Sequence, residues 1–217
     1  MSGVQPPTKS RTAAVRKAAE PTVVPRLAAL IGAAETIFLE KGYHAATMSD
    51  VARAAGMSKK TVYTMIESKD ELFGALLAHH NAMLKFPEPE PGWTAREMLV
   101  ANLLALGRFL LSPEQIAILR LIMAEYTHSP ELGHMFVQNR VMKAKSKLEG
   151  CLGELGRGHG CSAAEVKEMA AMLFGMTIGE FHLRVLVGYR AAPSRPALEK
   201  RVRRAVDIFL GGLGVGL

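Results

Sequence analysis

Between residues 26 and 210, apolar side chains recur every three or four positions, and no segment alternates as a half-buried strand would. Leu198, Val202, Ala205, Val206 and Phe209 trace one such stripe. Met169, Met172, Leu173, Phe174, Met176, Ile178, Phe181 and Leu183 form a broader one, apolar on more than one face, as suits a helix serving both a core and an interface. Helix starts are marked by Thr47-x-x-Asp50, Ser68-x-x-Glu71, Thr94-x-x-Glu97, Ser112-Pro-x-Gln115 and Ser162-x-x-Glu165. Each pairs a side-chain acceptor with a carboxylate or amide three residues on, and so meets the orphan amides of a first turn. Ser129-Pro130 adds a start with proline at the first helical position. The pattern predicts an all-α fold of about nine helices, at 26–41, 48–55, 59–64, 69–85, 95–111, 113–127, 130–155, 163–188 and 196–210.

Proline divides the chain. Phe86 to Gly92 holds Pro87, Pro89 and Pro91, which no helix can continue through. Three parts result: an arm at 1–24, an amino-terminal helical domain with a connecting helix at 25–85, and a second helical domain at 93–217. The arm is rich in Pro, Thr and Ala, and carries Lys9, Arg11, Arg16 and Lys17 against Glu20. A flexible basic arm can enter a DNA minor groove; the alternative is a solvated tail.

The densest pattern is at 47–66. Val51, Ala55, Met57, Val62 and Met65 suit two short helices packed across one another, and small Ala52 lets them approach. Gly56 stands where the chain must turn with positive φ. This is a helix-turn-helix whose second member lies in a DNA major groove. Lys59 and Lys60, at the start of that helix, are placed for phosphates or guanine edges, where the helix dipole adds attraction. Thr61 offers a hydroxyl and a methyl, and Tyr63 a phenol for phosphate. Thr47, Ser49 and Lys69 are placed for further phosphate contacts, which set register where base contacts give specificity.

Composition agrees. The 217 residues are 49% hydrophobic, enough for a sizeable core, and the net charge of +7 favours an anionic partner. Cys151 and Cys161 make no secreted disulfide framework. No signal-peptide core is present, and the longest apolar stretch, Met98 to Leu111, is interrupted by Asn102 and Arg108 and too short for a bilayer. A cytoplasmic protein with no membrane partner is expected. Cys151, His159 and Cys161 match no common zinc spacing, so neither a metal nor another cofactor is expected. No phosphate loop, His-Glu-x-x-His or Ser-His-Asp pattern points to an enzyme.

Residues 26–85 resemble the amino-terminal domain of the tetracycline-repressor (TetR/AcrR) family of transcriptional regulators. The resemblance rests on Ala33, Ala34, Phe38, Glu40, Lys41, Gly42 and Tyr43, then on Thr47, Val51, Ala52, Ala54, Ala55 and Gly56. It continues through Ser58, Lys59, Thr61, Val62, Tyr63, Ser68, Lys69, Glu71, Leu72 and Phe73. Met65 and Ile66 depart from the aromatic pair usual in the family, and Lys60 stands where a small residue or proline is common. The resemblance implies a DNA-reading head, a homodimer on a near-palindromic operator, and a repressor released by a small-molecule effector. It further implies a pocket enclosed by the connecting helix and the four after it, with dimerisation through the segments 163–188 and 196–210. A regulator without an effector, and an architectural DNA binder without sequence preference, are the alternatives.

The second half carries no strong motif. Residues 124–136 weakly resemble a helix junction of AcrR-like members. By chemistry alone, Trp93, Met123, Tyr126, Phe136, Asn139, Met176 and Glu180 are candidate lining for an apolar ligand, adaptable methionines among them. The competing reading for the apolar ones is ordinary core.

Overall fold

The computed structural model describes residues 23–138, 142–158 and 160–212. Its elements are α1 (Val23–Lys41), α2 (Met48–Ala54), α3 (Lys59–Tyr63), α4 (Lys69–Met83), α5 (Ala95–Leu110), α6 (Pro113–Ala124), α7 (Glu131–Phe136), α8 (Met142–Arg157), α9 (Ala163–Phe174), α10 (Glu180–Leu186) and α11 (Arg195–Gly212). No strand occurs among the described residues. The arm expected at 1–24 lies outside them as far as residue 22, and α1 begins earlier than expected, at Val23, with Pro25 tolerated in its first turn.

Three of the expected caps close as reciprocal boxes, at Thr47–Asp50, Thr94–Glu97 and Ser162–Glu165. The others are half-built. Ser68 accepts from the Glu71 amide, but the Glu71 carboxylate turns back to the Glu67 amide. Ser112 accepts from the Gln115 amide while the Gln115 side chain bonds elsewhere. Pro130 sits at the cap of α7 rather than inside it, and Ser129 is buried without capping.

Two helices expected to be continuous differ. The segment 130–155 holds α7 and α8, with residues 139–141 between them outside the described set. The segment 163–188 is continuous but changes pitch: Gly175–Gly179 form a π turn between α9 and α10. A π turn strands a backbone carbonyl, and Arg201 of α11 donates to that of Met176 at 2.7 Å. Ala163–Leu186 is also long and apolar enough to cross a membrane by length and composition, with 28% buried.

The apolar interior divides into two cores. The first joins the aromatic trio Phe38, Tyr43 and Phe73 to Leu30, Val51, Val62, Ile66, Leu72 and Leu76, and takes in Ile118, Leu121 and Ile122 of α6 and Leu132 of α7. The second is built from α5, α8, α9, the π turn and α11 around Leu103, Leu152, Leu173, Ile178, Val202 and Val206. The proline-rich stretch thus separates the halves in sequence, while α6 and α7 return to pack on the first half.

Candidate nucleic-acid interface

The turn between α2 and α3 is held from inside. Val51, Ala52 and Val62 are buried between the helices. Gly56 has φ +64°, the left-handed conformation the sequence required of it. Ser58 caps α3 by accepting from the Thr61 amide at 3.1 Å, and its hydroxyl meets that of Thr61 at 2.8 Å.

Asp50 anchors the start of α2. It receives Lys41 at 2.9 Å and the Thr47 hydroxyl at 2.7 Å. The Lys41 ammonium first, then the Thr47 hydroxyl and amide, hold its carboxyl well below the usual carboxylate range. Thr47 is therefore engaged in capping α2 while remaining exposed, and Ser49 is half-buried in the first turn.

Lys59, Lys60 and Tyr63 form the outward face of α3. All three are exposed, and among the described residues neither lysine meets a carboxylate within ion-pair distance. Thr61 is half-buried, its hydroxyl turned to Ser58. Lys69 differs from expectation. Its ammonium donates to the carbonyls of Tyr43 (2.8 Å), His44 (3.2 Å) and Ala46 (3.1 Å), and sits 4.5 Å from the Tyr43 ring centroid. Three donors are thus spent on fixing the α1–α2 turn, leaving none for a phosphate.

Arg53 was not singled out by sequence. It projects from the end of α2 with its side chain 78% exposed, and only a long 3.4 Å contact ties it to Asp50. The available signal was a lone cation amid alanines beside the turn.

The candidate ligand residues are spread over the molecule. Trp93 is half-buried ahead of α5. Met123 and Tyr126 point outward at 55% and 71% exposure. Phe136 packs against the first core. Met176 is half-buried in the π turn, and the exposed Glu180 carboxylate is paired with Arg184 and Arg201. Asn139 and His159 lie outside the described residues. Cys151 and Cys161 are free thiols; burial pushes the Cys151 thiol up, and Asn102 reaches its sulfur at 3.3 Å.

Comparisons with known proteins agree with this geometry. Residues 30–76 match the family described as bacterial regulatory proteins, tetR family, and residues 97–212 match the AefR-like transcriptional repressor, C-terminal domain. The transcriptional activator FasR of Mycolicibacterium smegmatis is 45% identical over 51 residues, which are 24% of this chain and 23% of that protein. The transcriptional regulator UidR of Escherichia coli K12 is 28% identical over 132 residues, 55% of this chain and 66% of that protein. The chain thus spans about a quarter of one relative and just under two thirds of the other. In structure, the Flavonoid-responsive Regulator FrrA superposes with a TM-score of 0.73 at 24% identity, over 87% of this chain and 97% of that one. The chain belongs to the TetR family of DNA-binding transcriptional regulators.

Proposed function

We propose that this regulator is a homodimeric, cytoplasmic repressor without catalytic activity, released from a near-palindromic operator by a small, largely apolar ligand. The observation that carries DNA reading is the exposed Lys59–Lys60–Tyr63 face of α3, whose lysines meet no carboxylate among the described residues, set on a turn locked by Gly56 and Ser58. In a dimer, two such faces about one helical turn apart, roughly 34–36 Å, enter successive major grooves. The second copy covers the face left bare by α9, α10 and α11, where Met172, Leu183, Val187 and Ile208 are exposed. Repression rests on the AefR-like repressor description of the effector half; the FasR match lies in a short segment and does not bear on the sign. A ligand of apolar character is supported by FrrA, a structural neighbour described as flavonoid-responsive.

DNA selected from a random pool by the purified protein, beside a Lys59→Ala/Tyr63→Ala variant, tests the reading. An enriched palindrome bound by the parent and lost in the variant is expected. Salt-steep binding with no preferred site would instead identify an architectural binder.

A further inference from the structure

His80 is the most deeply buried titratable side chain at the junction of the two halves, 2% exposed on α4. Its ring touches both sides. Nδ1 lies 2.9 Å from Nε2 of Gln115 on α6, and Nε2 lies 3.1 Å from Oε1 of Glu35 on α1. An amide nitrogen is only a donor, so with the amide in this orientation Nδ1 must be the acceptor and the ring proton sits on Nε2. That proton faces the Glu35 carboxylate, but out of line for a well-formed hydrogen bond. The connector therefore holds α6 through Nδ1, while Nε2 faces Glu35 of α1 without a formed hydrogen bond.

We infer that His80 is a positioning residue: its neutral ring pins α4 to α6 and thereby sets the orientation in which the reading head meets its operator. This rests on the DNA-reading function proposed above. A second proton would go to Nδ1, where it opposes the Gln115 N–H. The α4–α6 contact then opens, or the amide must turn over. The charged and titratable groups around the ring are Glu35 from α1, Glu114 from α6 and His79 from α4. Where the amide keeps its orientation, acidification opens the α4–α6 contact and weakens operator binding.

The test is operator affinity of the full chain on the selected palindrome at pH 8 and pH 6, with thermal midpoints measured alongside. The parent is expected to bind about tenfold more weakly at pH 6, within the usual span of coupling between sites. Gln115→Met keeps the volume and removes the amide, so it should bind at pH 8 as weakly as the parent does at pH 6, with little further fall. His80→Gln should likewise flatten the profile. His44 and His128 are present in all three proteins, so the difference between profiles isolates His80. Variants that keep the parent's pH profile, or lose affinity only in proportion to their thermal midpoints, would overturn the inference and leave the DNA-reading function intact. A parent that selects no operator at any pH would overturn both.

Discussion

Replacing Arg53 by alanine removes an exposed cation whose only internal tie is a 3.4 Å contact. Folding stability should stay within about 0.5 kcal/mol, as for most surface changes. Operator affinity should lose about one unit of its logarithmic salt slope, as expected for one phosphate contact, measurable by titrations at several salt concentrations. An unchanged slope would mean Arg53 faces away from DNA. Gly42 acts through shape. It closes α1 with φ +82°, and a Cβ there would lie 2.6 Å from Oε1 of the buried Glu125 on the turn after α6. Gly42→Ala should therefore destabilise by at least about 1–2 kcal/mol from the left-handed backbone alone. Adding Glu125→Ala should recover the steric part and leave the backbone part, which denaturant unfolding of both variants can separate.

At the scale of elements, the capping boxes make helix starts sensitive to acid. Thr94→Ala removes one box from α5 and should cost about 1 kcal/mol at neutral pH. The Glu97 carboxyl is held below its ordinary value, first by the Thr94 amide and then by the Thr94 hydroxyl; the Glu165 carboxyl is held down in the same way by Ser162. A depressed carboxyl stabilises the fold above the unfolded value, near about 4.3, and that contribution disappears as pH falls through the folded value. The part of the thermal midpoint that these carboxylates supply should thus be constant near neutrality and be lost below about pH 4.5. Glu97→Gln should lie below the parent at pH 7 and converge on it at acid pH. A gap that persists undiminished would show that the carboxylate charge is not what closes the box.

For the whole molecule, the critical feature is the uncovered side of α9, α10 and α11. Leu183 is 60% exposed there, beside Met172 and Val187. Placing a charge at the centre of such a face disfavours its burial by several kcal/mol unless it is paired. Leu183→Glu is therefore expected to give a folded monomer in sedimentation or light scattering. Its affinity for a palindrome should fall to that of a single half-site, while helical content stays unchanged. A dimer that persists in this variant would move the interface elsewhere on the molecule.

Much of the architecture was already legible in the chain, because local physics determines it. Apolar periodicity marks the helices, Thr47, Thr94 and Ser162 mark their starts, and Gly56 marks the turn with φ +64°. The Lys59–Lys60–Tyr63 face was legible too, since in a short helix on a packed turn the spacing alone decides which side chains face outward. Other features depended on partners far away in sequence. Lys69 looked like a phosphate clamp until the carbonyls of Tyr43, His44 and Ala46, more than twenty positions earlier, took up its ammonium. The proline stretch marks a boundary in sequence, and only the fold shows that α6 and α7 return to pack on the first half, where Ile118, Leu121, Ile122 and Leu132 find their apolar contacts. Arg201 of α11 reaches the carbonyl of Met176 in the π turn, and His80 lies between the halves because α1 and α6 converge on α4. The sequence by itself determined most helices, the three reciprocal caps and the exposed Lys59–Lys60–Tyr63 face, whose interactions span one turn. Only the tertiary structure decided which polar groups remain available and where the two halves meet, because those depend on partners brought together by folding.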